Sequence, residues 1–388
     1  MTSYRILYHH RIRADDGQAV HVRELIGALQ AQGHEVHECA LVPKTGAAAP
    51  AGARARWLQG LQLPRTAVEI LEILYTRRGA ARLVRAAARF RPDFIYERHA
   101  LHCAAGVVAA ARLGVPCFVE VNSPMCAEMA GLGLLRFPRR ARATEARVLQ
   151  AASRIFTVSG VLAQMLAGLG APAERIRIVP NGADPARAAV LDAAGREAVR
   201  QRHGLPAAAF LLGFVGFMRD WHRLDLVLQA MLRPGLGDLH FVLIGAGPAL
   251  QPTCDRAAAL GLQGRVHALG QLLGPAFQQV LAALDAALIP AINAYASPLK
   301  LFDSLAAGVP TLAPQQPNLE ELLEDGKDGL LFRPGDAESL AERLHFLLAD
   351  KARSRAIGRA GRDKLLARDW TWAGNARRVI AAFEELPR

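Results

Sequence analysis

Apolar residues along the chain recur in two spacings that alternate from end to end. Residues 4–9 (Tyr-Arg-Ile-Leu-Tyr-His) form a short run that reads as a buried strand, followed by a polar loop over 11–18. Val20, Val22, Leu25, Ile26 and Leu29 then fall at helical spacing. That helix ends near Gly33, and residues 36–42 read as a second strand. Strand, turn, helix, strand is a βαβ unit. The pattern continues with strands over 94–96, 117–121, 154–158 and 176–179, and with helices over 71–90, 101–113, 139–152 and 161–169. The Ala/Gly/Pro-rich stretch 43–66 reads as a loop.

Pro180-Asn181-Gly182 is a turn signal. After it the alternation restarts, with strands over 210–215, 240–244, 266–269, 286–289 and 311–313. Helices fit 224–231, 275–284, 299–307, 318–323, 337–348 and 370–386. The pattern predicts two consecutive α/β arrays of Rossmann-like size meeting near residues 180–200. A ligand is expected in the cleft between them, at the carboxyl ends of the strands.

Composition narrows the class. A chain of 388 residues that is 52% hydrophobic can bury two or three cores without disulfides and is not a disordered chain. Its most apolar stretch, 101–119, is broken by His102 and Arg112, so no membrane span is expected. The first residues show no long apolar core of a signal peptide, and the expected location is the cytoplasm. Cys39, Cys103, Cys117, Cys126 and Cys254 include no Cys-x-x-Cys pair and read as free thiols, with no metal site.

Charge changes the picture more. The net charge is +12, and it is lopsided: residues 1–175 carry 23 basic against 13 acidic side chains, the rest 24 against 22. The excess lies between Arg54 and Arg147. Such a field attracts phosphates, an anionic membrane surface or nucleic acid. Nucleic acid is set aside, because aromatic residues are only 6% of the chain and no nucleic-acid motif is evident.

The most specific segment is 295–310, Tyr-Ala-Ser-Pro-Leu-Lys-Leu-Phe-Asp-Ser-Leu-Ala-Ala-Gly-Val-Pro. Ser297 reads as a helix N-cap and Pro298 as the first helical residue. The N–H groups at that helix start would face an anion. Lys300 and Asp303, three apart, share a helix face and offer a cation for phosphate and a carboxylate for a ribose diol. The plainer alternative is a surface ion pair. Arg98, after the strand 94–96, is read as a contact for an acidic acceptor, or else as a partner of Glu97 or a solvent-facing residue.

Four stretches together resemble retaining glycosyltransferases of family 4, in the Ser-Pro-Leu-Lys subgroup. They are Gly17-Gln-Ala-Val-His with Gly33-His-Glu-Val; Val179-Pro-Asn-Gly-Ala-Asp; Leu243-Ile-Gly-Ala-Gly-Pro; and the Ser-Pro-Leu-Lys segment followed by 328–336. The resemblance implies a GT-B fold of two Rossmann-like α/β domains facing each other across a cleft. Residues 1–185 would form an acceptor domain and 186–369 a donor domain, with the helix at about 370–388 packing back on the first.

The implied reaction moves a sugar from a nucleotide diphosphate sugar to a glycan or lipid-linked acceptor with retention, in polysaccharide or envelope glycan synthesis and without a cofactor or metal. Donor-binding positions by this resemblance are Gly17, Gly216, Arg219, His222, Gly245, Ser297, Pro298, Leu299, Lys300 and Asp303. Arg219 and a protonated His222 would grip phosphate, and Gly17 would lie in the first strand-to-helix loop. His21, Arg98, Glu120 and Asn122 would face the acceptor. Arg219, Lys300 and Asn122 carry the catalytic expectation.

Departures from the family pattern stand at Tyr295, where the first Glu of a paired-Glu motif is usual, and at Asp303, where the second Glu is usual. Phe217 replaces an Arg, and Asn122 a nearby His. They motivate the alternative of a non-catalytic nucleotide- or glycan-binding scaffold; an epimerase on the same fold is a second alternative. The basic segment 54–91 suggests peripheral contact with an anionic membrane.

Overall fold

The structure, a computed structural model, describes residues 2–14, 16–45 and 63–387. The loop expected at 43–66 and the basic segment from residue 54 therefore lie partly outside the described residues. The chain divides into two units: residues 1–180 with 375–388, and residues 181–374. The helix Trp372–Glu384 thus contributes most of its length to the first unit, where Phe383 packs its ring on Phe94 and on Tyr4.

The first unit carries a six-stranded parallel sheet: β1 (Arg5–His10), β2 (Glu35–Ala40), β3 (Phe94–Arg98), β4 (Cys117–Val121), β5 (Arg154–Thr157) and β6 (Ile176–Ile178), in the order β2-β1-β3-β4-β5-β6. β1, β3 and β4 are buried almost throughout, as strands covered by helices on both faces must be. The chain passes from β1 to β2 on one side and to β3 on the other. The carboxyl ends of β1 and β3 therefore border a switch point, where α/β sheets bind ligands.

The second unit repeats the design with β7 (Phe210–Val215), β8 (Leu239–Ile244), β9 (Val266–Gly270), β10 (Ala286–Leu288), β11 (Thr311–Pro314) and β12 (Leu330–Phe332), ordered β12-β11-β10-β7-β8-β9 and all parallel. Its switch point lies between β7 and β10. The sequence pattern had no strand at β12, whose three apolar residues are too few to show a period. It also missed the polar helices Ala193–Arg202, Leu250–Ala259 and Lys351–Ala367, which bury only a narrow stripe.

The helix Leu299–Ala306 is held by its apolar stripe: Leu301, Phe302 and Leu305 enter a core with Leu319, Leu331 and Trp370. Burial of each large side chain is worth roughly 1.5–3 kcal/mol. That stripe fixes the rotation of the helix and so decides where Lys300 points.

Candidate functional site

In the second unit, β7 runs into Gly216 and β10 runs through a loop into the helix Leu299–Ala306, on the two sides of the switch point. Lys300 meets the end of β7 there. Its ammonium lies 3.9 Å from the centre of the Phe214 ring. A Cβ built on Gly216 would sit 3.4 Å from Lys300 Nζ. No carboxylate pairs with this ammonium among the described residues, and burial lowers its pKa to about 7. An unpaired ammonium desolvated beside an aromatic face is costly unless an anion joins it.

The loop after β7 is ordered by His222. Its Nδ1 accepts the Arg219 backbone N–H at 3.1 Å, and its ring stands edge-on to Phe214. Burial and the Lys300 charge lower the His222 pKa to about 3. This corrects the expectation of a protonated phosphate ligand: His222 is a neutral acceptor that shapes the loop. Arg219 is exposed, with its guanidinium 5.0 Å from the centre of the Phe217 ring. Phe217, which takes the place of a family Arg, is a platform for another one.

Gly245 and Gly247 follow β8 with φ of +133° and +141°. A Cβ on Gly245 would collide with the Gly216 carbonyl, and one on Gly247 with the Met218 backbone. The Met218 N–H donates to the Ala246 carbonyl at 2.7 Å. The two loops are thus laid backbone on backbone, which only glycine permits. The close approach at Gly245 is to protein.

The entry to the helix differs from its sequence expectation. Pro298 occupies the N-cap position and Leu299 is the first helical residue. Ser297 is not the cap. Its hydroxyl accepts the Asn181 N–H at 3.1 Å, and its carbonyl accepts from Asn181 Nδ2 at 2.6 Å. Ser297 therefore clasps the Pro180-Asn181-Gly182 turn. Pro298 offers no side-chain cap, so the first N–H groups, of Leu299 and Lys300, have no protein acceptor among the described residues. A helix start of this kind is an anion seat. Asp303 lies about one turn beyond, half-buried. Tyr295 accepts at its hydroxyl from Asn293 Nδ2 at 2.9 Å.

In the first unit three of the residues expected to face the acceptor, His21, Arg98 and Asn122, gather around the fourth, Glu120. Glu120, at the end of β4, is 3% exposed. Arg98 donates to it at 2.5 Å, Asn122 Nδ2 at 2.5 Å and the Tyr96 hydroxyl at 3.0 Å, and His21 Nε2 lies 2.9 Å away. Despite burial, these neighbours, His21 and Arg98 foremost, lower the Glu120 pKa to about 2. Arg98 is thus spent on Glu120; Glu97 is not its partner. Gly17 is the first residue of the helix Gly17–Ala31, not part of a loop, and Asp16 caps that helix through the Gln18 N–H.

Sequence reasoning missed a second buried cluster beside it. His9 Nδ1 and Glu97 Oε1 are 2.6 Å apart, His9 Nε2 is 3.0 Å from the Tyr75 hydroxyl, and the Gly106 N–H donates to Glu97 at 3.0 Å. Cys103 Sγ lies 3.6 Å from Glu97, and burial raises its thiol pKa. These are hydrogen-bonded partners rather than an open ligand set. Glu69 forms a third cluster: it accepts from the Arg136 and Phe137 N–H groups and pairs with His102 at 2.8 Å, which closes the start of the helix Pro138–Ala151. A His or Glu inside an otherwise apolar run was the available signal.

Comparison with known proteins adds independent findings. The family described as Glycosyltransferase Family 4 matches residues 16–187, and Glycosyl transferases group 1 matches 209–350. A 2-deoxystreptamine glucosyltransferase of Streptomyces kanamyceticus is 31% identical over 269 residues, covering 67% of this chain and 68% of that protein. A D-inositol 3-phosphate glycosyltransferase of Stackebrandtia nassauensis is 28% identical over 75% of this chain and 68% of its own length. Among solved structures, Anabaena HepE in complex with UDP-glucose superimposes with a TM-score of 0.71 at 17% identity, over 99% of this chain and 100% of that one.

Proposed function

We propose that this chain, which belongs to glycosyltransferase family 4, transfers a glycosyl group from a nucleotide diphosphate sugar to an acceptor hydroxyl with retention of anomeric configuration. The observation that carries the donor assignment is the Lys300 ammonium beside Gly216, unpaired among the described residues, and the open helix start. A diphosphate supplies the negative charge that this arrangement lacks. Lys300, the N–H groups of Leu299 and Lys300, and the Arg219 guanidinium stabilise charge as it builds on the leaving diphosphate. Asp303 holds the ribose hydroxyls.

In this reading the bond from the anomeric carbon to the diphosphate oxygen breaks as the acceptor oxygen bonds to the same face. The acceptor proton passes to the departing phosphate oxygen. No side chain then needs to act as nucleophile. The HepE complex makes UDP-glucose the first donor to test.

For the acceptor, a glycan or lipid-linked hydroxyl fits the basic first unit. The surface of the described helix Arg65–Phe90 supports peripheral contact with a membrane. Ile70, Leu71 and Leu74 are 44%, 50% and 46% exposed, on the side that carries Arg77, Arg78, Arg82 and Arg85. Apolar residues beside arginines suit an anionic bilayer surface. No helix among the described residues is long and apolar enough to cross a membrane. D-inositol 3-phosphate and 2-deoxystreptamine, after which the relatives are named, form the second acceptor panel.

The test is a transfer assay with UDP-glucose and other nucleotide sugars, reading the anomeric configuration of the product by proton NMR. Inverted product overturns the retaining assignment. Failure of every nucleotide to bind favours the non-catalytic scaffold.

A further inference from the structure

At the amino ends of β7, β10 and β11, a cavity of about 260 Å³ opens in the second unit. Phe210 begins β7, Asp285 precedes β10 and Pro310 precedes β11, and all three line it. The Lys300 site is at the carboxyl ends of the same sheet. A six-residue strand is on the order of 20 Å long, so the two sites are separate.

The cavity wall carries Arg196, Lys351, Arg355 and Arg359. Among the described residues its one carboxylate, Asp285, is already engaged. It takes Arg196 and Arg200 at 2.7 Å each and the Leu211 N–H at 2.8 Å. Lys351, Arg355 and Arg359 have no acidic partner among the described residues. They repeat at four-residue intervals along the helix Lys351–Ala367 and so share one face, an arrangement in which like charges repel. Burial, with the charges of Arg200 and Arg355, pulls Arg196 below its ordinary pKa despite Asp285.

Ser354 lies on the same helix, lines the cavity and is 4% exposed. Its hydroxyl has no protein partner among the described residues. Val190, Leu191 and Val309 supply an apolar wall.

We infer that this cavity is a second anion site, taking the phosphate group of a small phosphorylated compound on Lys351, Arg355, Arg359 and Ser354. Guanidinium forks match phosphate oxygens in pairs, and the hydroxyl adds a directed hydrogen bond. The cavity holds several times the volume of a water molecule, so a phosphate with a short organic body fits against the apolar wall.

The test is calorimetric titration of the full chain with inorganic phosphate at fixed ionic strength. The comparison uses a Lys351→Ala/Arg355→Ala/Arg359→Ala variant and, separately, Lys300→Ala. The expected result is binding by the parent and by Lys300→Ala, weakened about tenfold or more in the triple variant, which still binds UDP. Should the triple variant melt early, Arg355→Gln and Arg359→Gln singly, both at exposed positions, carry the comparison. Equal phosphate binding by parent and cavity variants overturns the site, as does loss in Lys300→Ala alone. Glycerol phosphate in solution and phosphatidylcholine vesicles containing phosphatidic acid separate the sources. Whichever the parent binds and the triple variant does not is the source, and binding of neither overturns the inference.

Discussion

The Lys300 ammonium rests 3.9 Å from the centre of the Phe214 ring, with no carboxylate paired to it among the described residues. The ring face attracts the cation, yet it replaces only part of the lost hydration. Lys300→Ala is therefore expected to weaken UDP binding and to lower kcat by about 100-fold, the usual scale for removing one preorganised electrostatic partner. The variant should fold, since the change removes a desolvated charge. Unchanged transfer kinetics would take Lys300 out of the mechanism.

The same burial makes the site sensitive to pH. An unfolded lysine stays protonated to about pH 10.4, whereas Lys300 in the empty protein loses its proton near 7. Between those values the unfolded chain holds the extra proton, so raising the pH through this window favours the folded state. Urea melts of the parent at pH 7 and pH 9 should show that gain, and Lys300→Met should lack it. UDP affinity should run the opposite way and fall above pH 7, because the diphosphate binds the protonated form.

Much of this was legible in the sequence. The eleven strands expected from the pattern are all present, because parallel strands buried on both faces are apolar runs. Lys300 was legible because its motif is compact, and Gly216 because it ends a clear strand. What failed to show was contact between distant residues. Ser297 looked like a cap because capping is local, but its hydroxyl serves Asn181, 116 residues away. His222 looked like a cation because its pKa depends on burial and on Lys300, neither of which spacing reveals. The polar partners of Glu120 come from β3, from the residue just after β4 and from the helix after β1, and only the sheet order brings the distant ones to it.

Gly245→Ala tests the packing of the two loops. The added Cβ meets the Gly216 carbonyl, and φ at +133° is closed to alanine. A cost of about 1–3 kcal/mol in stability is expected, together with weaker nucleotide binding as Gly216 is pushed from its place. Denaturant melts and UDP titration check both. A parent-like melt would mean that the loops part without cost.

Glu120→Gln removes one charge and keeps the shape. The Arg98 guanidinium is then left buried without its counter-charge, which costs about 3–5 kcal/mol for such pairs. Glu120 titrates near 2 when folded and near 4.3 when unfolded. Its contribution is fully present above the unfolded value and is lost as pH falls through the folded one. Urea melts at pH 7 should show the loss, while Glu120→Gln flattens the acid limb of the parent's stability curve. A variant as stable as the parent would show that Arg98 finds solvent.

The surface of the helix Arg65–Phe90 separates two forces along one face. Leu71 and Leu74 would enter the acyl boundary, and Arg77, Arg78 and Arg82 would meet lipid phosphates. Each arginine near an anionic surface is worth about 1 kcal/mol, and this part is screened by salt. Burial of a leucine is worth roughly 1.5–3 kcal/mol and is not screened. In flotation with phosphatidylglycerol-containing vesicles, Leu71→Asp/Leu74→Asp should abolish binding at any salt. Arg77→Gln/Arg78→Gln should weaken it at low salt and leave a residual, salt-insensitive part. If all variants float like the parent, the helix face is a solvated one, and the acceptor need not be lipid-linked.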